Sequence, residues 1–412
     1  MNMPPQHQCA HAGKCGEGVR SDCYVEIKLR QTGGLDINLR SKVAAMYGEA
    51  IRELAVQVVN HARIAHAEIF IDDSGALPFT LHARLETAVQ RLLGDETFEY
   101  HPIVPAVQRS ATVKNRMRRS RLYLPGNEPK FFINAGLHQP DAVILDLEDS
   151  VAPEEKDAAR NLVKQALRQI DFRDAEIMVR INPGELGRKD LFAIVPHGVQ
   201  VILVPKCESA QTIVEVMQDI EKLKREHKLT QEIFLIPIIE SALGVIKAFE
   251  IASASDRVCA LAIGLEDYTA DLGVQRTVKE TESLFAKSML VNAARAAGIL
   301  ALASVYAEVD NTEGLRQNVL AAKTLGFAGM GCIHPRQIKI IHEAFAPSVE
   351  EINQAQKIVF AFERAQQKGL GVIALGTKMI DMPIVKRAQT TLAHALRAGL
   401  ISPDWREYSN NV

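Results

Sequence analysis

Short apolar runs rich in Val, Ile and Leu alternate with helical stretches from Ser120 onward. The runs are apolar at consecutive positions, which is typical of strands that are covered on both faces. They predict eight strands, at Arg121–Leu124, Ala142–Leu147, Ile177–Ile181, Val199–Val204, Ile233–Ile239, Val258–Ile263, Ile299–Val305 and Met330–Ile333. Eight strands separated by helices predict an α/β fold, a parallel (β/α)8 TIM barrel followed by a C-terminal helical extension.

A doubly wound open sheet is the competing fold. Such a sheet binds its ligand at one switch point and often carries Gly-x-Gly-x-x-Gly after its first strand. Here the first run continues into Pro125-Gly126-Asn127, and polar residues follow most of the runs rather than one of them. Both observations favour the barrel.

The first part of the chain has a different pattern, in which apolar and polar residues alternate. Tyr24–Arg30 and Leu35–Arg40 alternate on either side of Thr32-Gly33-Gly34, which predicts a hairpin. Beyond it we predict a helix, a second hairpin turn and a second helix, at Lys42–His61, Asp73–Gly75 and Arg84–Leu93. The front of the chain is therefore expected to be a small α+β domain of order ββαββα.

An irregular stretch that ends in Lys and Arg residues separates the two patterns. It contains Pro102 and Pro105, as a linker would. We therefore predict four segments, namely a front domain at 1–100, a linker at 101–119, a barrel at 120–345 and a helical extension at 346–412.

Composition narrows the class of protein and of partner. Of the 412 residues, 47% are hydrophobic and 24% are charged, and the formal net charge is −2. These values fit a globular chain and give no bulk attraction to nucleic acid or to an anionic membrane. No apolar run is long enough to span a bilayer, and the N-terminus lacks an apolar signal core, so we expect a cytoplasmic protein.

The six cysteines are expected to be reduced. Three stand in or beside predicted strands and three near the N-terminus, namely Cys207, Cys259 and Cys332, and Cys9, Cys15 and Cys23. The first group is expected to be buried. The second group lies near His7 and His11, but its spacing is not that of a standard zinc site.

Charged residues stand at the ends of the predicted strands, where a barrel has its active site. They include Asp146, Glu148, Asp149, Arg180, Lys206, Glu240 and Asp267. Several carboxylates in one pocket require a cation or an arginine, so the set predicts a hard divalent metal ion, with Mg²⁺ favoured. Each residue alone could be an ordinary polar group in a loop; Glu240, Asp267 and Arg180 together favour a metal site.

Several of these residues lie in motifs that resemble the citrate lyase beta subunit and other members of the HpcH/HpaI aldolase/citrate lyase family. The motifs are Arg121-Leu-Tyr-Leu-Pro-Gly-Asn, Leu145-Asp-Leu-Glu-Asp-Ser-Val, Val179-Arg-Ile-Asn-Pro, Pro237-Ile-Ile-Glu-Ser-Ala, Gly264-Leu-Glu-Asp-Tyr, Ile333-His-Pro and Lys378-Met-Ile-Asp-Met-Pro. The resemblance spans Ser120 to Leu396. It implies a Mg²⁺-dependent lyase that cleaves citryl-ACP or citryl-CoA to oxaloacetate and an acetyl thioester. Malyl-CoA and citramalyl-CoA lyases share these motifs and are the alternative.

The resemblance also implies roles for individual residues. Glu240 and Asp267 would bind Mg²⁺, with Glu240 also at the substrate, and Arg180 would bind substrate and stabilise the enolate. Further substrate-binding residues would be Tyr123, Pro125, Gly126 and His334. Glu148 is expected to act in catalysis, supported by its neighbours Asp146 and Asp149.

Asp381 lies after the barrel, in a motif that the family contributes across a subunit interface as an acid or base. The enzyme would then be a homo-oligomer, a trimer or a hexamer. A helix cap is the alternative role for Asp381, since Lys378–Ala398 has a helical pattern. A non-catalytic binding subunit is disfavoured because Arg180, Glu240 and Asp267 are all present.

The front domain resembles the citrate lyase gamma subunit, a small acyl carrier. The likeness lies in Arg20-Ser-Asp-Cys-Tyr-Val-Glu-Ile, Phe70-Ile-Asp-Asp-Ser-Gly-Ala and Ala83-Arg-Leu-Glu-Thr-Ala-Val. It implies that Ser21 carries a phosphoribosyl-dephospho-CoA arm and that a citrate lyase alpha subunit is a partner. The carrier motif often has a further serine where Arg20 stands, and an ordinary turn serine with a purely structural front domain is the alternative.

Overall fold

The computed structural model describes residues 7–101, 104, 107, 109–367, 373–375 and 378–406. Pro102 and Pro105 of the expected linker lie outside the described residues. The chain forms two compact units, of which the first comprises Met1–Val309 and Leu325–Ile338 and the second Asp310–Thr324 and Lys339–Val412.

The strands are β1 (Cys9–Gly13), β2 (Cys23–Leu29), β3 (Leu35–Ser41), β4 (Ala67–Asp73), β5 (Ser120–Pro125), β6 (Ala142–Asp146), β7 (Glu176–Arg180), β8 (Val201–Val204), β9 (Phe234–Ile239), β10 (Ala260–Ile263), β11 (Leu300–Ala303), β12 (Gly329–Cys332), β13 (Ile373–Leu375) and β14 (Lys378–Ile380). The α-helices are α1 (Ala44–His61), α2 (Pro78–Leu93), α3 (Pro129–Phe132), α4 (Lys156–Gln169), α5 (Gly184–Ile194), α6 (Ala210–Glu226), α7 (Ala242–Ile246), α8 (Ala248–Ala252), α9 (Leu265–Asp271), α10 (Leu284–Ala296), α11 (Thr312–Leu325), α12 (Arg336–Phe345), α13 (Val349–Gln366) and α14 (Met382–Arg397).

The front domain is a four-stranded sheet of order β1-β2-β4-β3 with two helices. Strand β2 pairs antiparallel with β1 and with β4, and β3 pairs parallel with β4. Strands β2 and β4 bury alternate side chains such as Val25, Ile27, Ile69 and Ile71 in one core with α1 and α2. The alternation of the sequence thus marks the buried face correctly.

The predicted order ββαββα is wrong, because the observed order is βββαβα. Strands β2 and β3 form where expected, but they do not pair as a hairpin, because β4 lies between them in the sheet. The turn at Asp73–Gly75 leads into helix α2, which begins at Pro78, and not into a further strand. The extra strand, β1, precedes β2 and covers its other edge.

The second part of the first unit contains the barrel, and its fold class is confirmed. Strands β5 to β12 form a closed barrel of order β10-β11-β12-β5-β6-β7-β8-β9, and every neighbouring pair is parallel. Each of the eight predicted runs overlaps one of these strands. Cys207, Cys259 and Cys332 are buried and, like the other three cysteines, free of disulfides, as expected.

Helix α2 of the front domain packs against helix α4 of the barrel. In α4 every residue from Ala158 to Leu167 is buried, including Arg160 and Lys164. A barrel helix normally buries one face and exposes the other. Helix α4 is buried on both because α2 covers the face that would otherwise meet solvent.

The second unit has its own core, in which α13 packs against α14. Helix α13 begins with a capping box between Ser348 and Glu351, an arrangement that satisfies two free backbone N–H groups. Among the helices that the structure describes, none is both long and apolar enough to cross a membrane.

Candidate active site

A cavity of about 410 Å³ opens at the carboxyl ends of the barrel strands. Its polar lining comes from six of these strands and the turns after them, namely Arg121, Tyr123, Asp146, Asp149, Ser150, Arg180, Glu240, Glu266, Asp267 and Ser304. The carboxyl ends of parallel strands meet at one rim, so residues far apart in sequence share this pocket. The structure therefore brings together Tyr123, Pro125, Arg180, Glu240 and Asp267, as the sequence predicts.

Arg180, the last residue of β7, is held by three carboxylates. Its Nε and Nη2 donate to Asp146 at 2.6 and 2.7 Å, and its Nη1 lies 2.9 Å from both Glu148 and Asp149. Asp146 is opposite Arg180 in the sheet register. Burial alone would lower the pKa of Arg180, but hydrogen bonding to Asp146 raises it overall. The guanidinium is thus a permanently charged donor group with a fixed orientation.

Glu240 follows β9 and its carboxylate is tightly enclosed. Oε1 accepts the backbone N–H of Lys206 at 2.5 Å. A Cβ on Gly264 would lie only 2.5 Å from Oε2, so a larger residue there would displace the carboxylate. Burial raises the pKa of Glu240 to about 8, and the negative charges of Asp267 and Glu148 add to the effect. Burial and the neighbouring negative charges destabilise the ionised form of Glu240, so binding of a cation beside it would be favourable.

Asp267 lies in the first turn of α9, half-buried at the cavity wall. Within the described part of the chain, no cluster of three or more His, Cys, Asp or Glu side chains forms a ready metal cage. Two carboxylates in an open cavity instead suit Mg²⁺, which binds through one or two carboxylates and retains several waters. Glu240 and Asp267 are the residues that could hold it.

Lys206 is a member of this site that no motif identified. Its Nζ bonds Glu148 Oε1 at 2.5 Å, while its backbone N–H bonds Glu240. Its φ of +48° lies in the left-handed region, which a residue with a side chain adopts rarely. The sequence shows only that Lys206 follows a strand. Its contacts with Glu148 and Glu240 become visible only in the structure, where the left-handed backbone directs the N–H to Glu240.

Of the predicted site residues in the barrel, three do not line the cavity. Gly126 packs against the backbone of β6, where a Cβ would lie 2.5 Å from the carbonyl oxygen of Asp146. Glu148 contacts Arg180 and Lys206 just behind the wall. His334 accepts the backbone N–H of Arg336 through Nδ1.

Asp381 belongs to the second unit, where it is the N-cap of α14 and accepts the N–H of Ile384 at 3.4 Å. The helix-cap role considered for it is therefore present. The helix begins later than expected, since Lys378–Ile380 is strand β14.

Ser21 lies in the turn before β2, half-buried, with a left-handed φ of +57°. The next residue, Asp22, is buried and accepts two hydrogen bonds from Arg84, at 2.9 and 2.8 Å. Arg84 also donates to the carbonyl of Asn127 at 3.4 Å, in the turn that follows β5. These contacts connect the turn that carries Ser21 to the turn after β5.

Buried polar contacts hold the front domain against the barrel. Lys164 donates to Glu86 at 2.7 Å, and Gln165 donates to the same carboxylate at 3.1 Å. Asn161 donates to Thr87 and Gln90 at 3.0 and 2.6 Å. Such contacts require defined partners, so the front domain has a fixed position on the barrel.

Comparison with known proteins agrees with this geometry. The sequence profile of the HpcH/HpaI aldolase/citrate lyase family matches residues 119–335, and that of the malonate decarboxylase delta subunit (MdcD), an acyl carrier type, matches residues 9–92. Citrate lyase subunit beta of Escherichia coli (strain K12) is 40% identical over 293 residues, which are 70% of this chain and 96% of that protein.

Two further proteins widen the comparison. Human mitochondrial citramalyl-CoA lyase is 31% identical over 327 residues, covering 76% of this chain and 92% of that protein. The crystal structure of protein CitE from Mycobacterium tuberculosis, in complex with magnesium, acetoacetate and coenzyme A, has a TM-score of 0.57 at 29% identity and covers 69% of this chain and 99% of that chain. This chain therefore belongs to the HpcH/HpaI aldolase/citrate lyase family, and it is a lyase of that family preceded by an acyl-carrier-like domain.

Proposed function

We propose that the protein cleaves a citryl thioester to oxaloacetate and an acetyl thioester, with Mg²⁺ held by Glu240 and Asp267. The observation that carries the proposal is the meeting of these carboxylates with Arg180 in one cavity at the barrel rim. The similar CitE protein, solved with magnesium, acetoacetate and coenzyme A, supports a metal ion and an oxo acid as ligands of this protein as well. When bound, the metal ion would polarise the hydroxyl and carboxylate oxygens of the substrate.

The proposed reaction is a retro-Claisen cleavage. The hydroxyl group on C3 of the citryl group loses its proton, and the bond between C2 and C3 breaks. The electron pair of that bond moves into the thioester as an enolate, while C3 becomes the keto carbon of oxaloacetate. A proton then adds to C2 and gives the acetyl thioester, so the cleavage needs no oxidant or further reactant.

Arg180 is assigned the role of stabilising the negative charge that develops on the thioester oxygen. Its guanidinium is oriented by Asp146 before substrate arrives, so little reorganisation is needed during the reaction. Glu148 bridges Arg180 and Lys206 and would keep both cations in place. Following the family resemblance, we assign the proton transfer to Asp381 of a neighbouring subunit, which makes the enzyme a homo-oligomer, a trimer or a hexamer.

The front domain is proposed to deliver the substrate. A phosphoribosyl-dephospho-CoA arm on Ser21 would begin beside the turn that follows β5, through the chain of contacts from Asp22 to Arg84 and Asn127. A fixed starting point near the cavity gives the thioester a high effective concentration there. A citrate lyase alpha subunit would then be the partner that exchanges the acetyl group for a citryl group.

The second candidate is a lyase that acts on free malyl-CoA or citramalyl-CoA, with a structural front domain. The likeness to human citramalyl-CoA lyase favours it. The two candidates differ in whether Ser21 is modified and in which thioester is cleaved.

Intact mass spectrometry tests the carrier role. The protein is produced in a host that makes the prosthetic group, with the variant Ser21→Ala as control. A mass increase that depends on Ser21 supports the carrier, and an unmodified mass favours the second candidate.

Cleavage tests the lyase function itself. Citryl, citramalyl and malyl thioesters are each incubated with the protein and Mg²⁺, and release of the oxo acid is measured before and after addition of EDTA. Turnover that EDTA abolishes and Mg²⁺ restores is expected; turnover of none of the three would contradict the proposal.

A further inference from the structure

Arg121 lines the active-site cavity from near the beginning of β5, two residues before Tyr123. It is in β5, and the alternate residues Arg121, Tyr123 and Pro125 all line the cavity, as side chains on the inner face of a barrel strand do. Its side chain is only 1% exposed. Nη2 donates to the carbonyl oxygen of Ala303 at 3.0 Å, but Nε and Nη1 are buried without a hydrogen-bond partner.

Two other arginines of the first unit are equally buried and show what is missing at Arg121. Arg84 meets Asp22 through two nitrogens, at 2.9 and 2.8 Å. Arg118 meets Glu176 in the same way, at 2.7 and 2.8 Å. Among the residues that the structure describes, no carboxylate forms an ion pair with Arg121. A buried guanidinium without an anion is strongly unfavourable, so this group has the chemistry of an incomplete ion pair.

The neighbours of Arg121 leave space in the cavity. Ala262, Ala303 and Gly331 line the same wall, and Gly331 is opposite Arg121 in the register of β12 and β5. A Cβ on Gly331 would lie 2.7 Å from Val305 and 3.1 Å from Tyr123, so a larger residue would close this space. Ala262, Ala303 and Gly331 carry no polar side chain, and Arg121 is the charged group beside them, so an anion bound there would have the guanidinium as its main partner.

We propose that Arg121 binds a second carboxylate of the substrate, one that does not contact the metal ion. This inference rests on the proposed function, and it narrows the substrate class. The citryl group carries a carboxymethyl group on C3, whereas the citramalyl group carries a methyl group and the malyl group a hydrogen at that position. The carboxylate of the carboxymethyl group is the anion that completes the ion pair with Arg121, so the pocket selects citryl thioesters.

Oxaloacetate and pyruvate test the assignment, because pyruvate lacks only this carboxylate. Binding of each is measured by calorimetry in the presence of Mg²⁺, for the wild-type protein and for Arg121→Met and Arg121→Lys. Wild-type protein is expected to bind oxaloacetate at least ~10-fold more tightly than pyruvate, because pyruvate lacks the second carboxylate and leaves the buried guanidinium of Arg121 unpaired. In Arg121→Met the affinity for oxaloacetate falls roughly 100-fold while that for pyruvate changes less than about 3-fold. Arg121→Lys recovers part of the loss.

A structural role for Arg121 gives a different result. Replacing an unpaired buried charge with methionine is expected to leave the unfolding temperature of the free protein unchanged or higher. An equal loss of affinity for both oxo acids, or a large drop in unfolding temperature, overturns the assignment. If Arg121→Met does not fold, equal wild-type affinities for oxaloacetate and pyruvate overturn it without the variant.

The thioester assay separates this inference from the proposed function. Preferential cleavage of the citryl thioester supports both. Equal cleavage of the citryl and citramalyl thioesters overturns the role of Arg121 and leaves the lyase function standing. Cleavage of none of the thioesters, with selective oxaloacetate binding retained, would count against the function and not against the binding site.

Discussion

Glu86 on α2 accepts a hydrogen bond from Lys164 on α4 at 2.7 Å, and both side chains are almost completely buried. This ion pair joins the front domain to the barrel, because α2 belongs to the one and α4 to the other. Glu99 lies 3.3 Å from the same ammonium group, so Lys164 has a second, weaker partner.

Breaking the pair from one side should weaken the whole fold. In Glu86→Leu the ammonium of Lys164 stays buried with only Glu99 beside it, and we expect a loss of about 3 kcal/mol in the free energy of unfolding. Urea denaturation measures the loss. The double variant Glu86→Leu/Lys164→Met removes both charges and should recover most of it; a double variant as unstable as the single one would show that shape and not charge matters there.

The carrier role makes a prediction for Asp22. Asp22→Ala leaves Arg84 buried without its carboxylate, so the turn that carries Ser21 loses its attachment to the loop after β5. Turnover of carrier-bound substrate should fall by roughly 10-fold or more, since positioning contributes strongly to rate. Cleavage of a free CoA thioester by the same variant should stay near the wild-type value.

The matched control is Arg30→Gln, which removes exposed ion pairs with Asp36 and Glu68 at the opposite end of β2 from this turn. It should affect neither assay, because exposed ion pairs contribute little. A parallel loss of both activities in Asp22→Ala would mean that the barrel itself had been damaged, and the carrier explanation would fail.

The barrel could be predicted from sequence because its signal is local. Each strand is buried on both faces, so its run of apolar residues is continuous and needs no knowledge of its neighbours. The motif residues Arg180, Glu240 and Asp267 stand at or just after the ends of three such runs, and the shared rim of a parallel barrel brings them together. The spacing of residues along the sequence does not show which residues face each other on neighbouring strands. The register of β6 and β7 shows that Asp146 lies opposite Arg180.

The front domain and the depth of the pocket were harder to predict because their determinants are non-local. Alternation identifies β2 and β3 as strands but not their order in the sheet, and β4 separates them. Arg121 reads in the sequence as the polar start of an apolar run. Only the closed barrel places its side chain in the interior, where no carboxylate of the described residues forms an ion pair with it.

Burial of His82 predicts a dependence of stability on pH. The side chain lies on α2, 7% exposed, and its Nδ1 is 3.0 Å from Nε2 of Gln169 on α4. Burial lowers the pKa of His82 to about 4, and the charge of Arg168 adds to this. The unfolded chain, with an ordinary histidine pKa near 6.5, therefore binds more protons between about pH 6.5 and 4. The stability that the neutral, buried His82 contributes is therefore complete above about pH 6.5 and is lost as the pH falls toward 4.

The variant His82→Gln should remove this dependence. We expect the free energy of unfolding of the wild-type protein to fall between pH 7 and pH 4.5 by up to about 2 kcal/mol more than that of the variant. Urea denaturation at both pH values gives the difference, in which other titrating groups such as His197 cancel. Identical slopes for the two proteins would mean that His82 is solvated or charged in the folded state.

The metal site gives the sharpest prediction for activity. Glu240→Gln and Asp267→Asn keep the size of each side chain but remove its charge, so each should weaken Mg²⁺ binding and lower kcat by roughly 1,000-fold, equivalent to several kcal/mol of transition-state stabilisation. Gly264→Ala should weaken Mg²⁺ binding as well, because its Cβ would lie 2.5 Å from Glu240 Oε2. Calorimetric titration with Mg²⁺ is the measurement, and Glu250→Gln on the exposed side of α8 is the control.

Because Glu240 is buried, removing its charge should also raise the stability of the metal-free protein while lowering its response to Mg²⁺. Unchanged Mg²⁺ affinity in both carboxylate variants would place the metal elsewhere and remove the basis of the proposed chemistry.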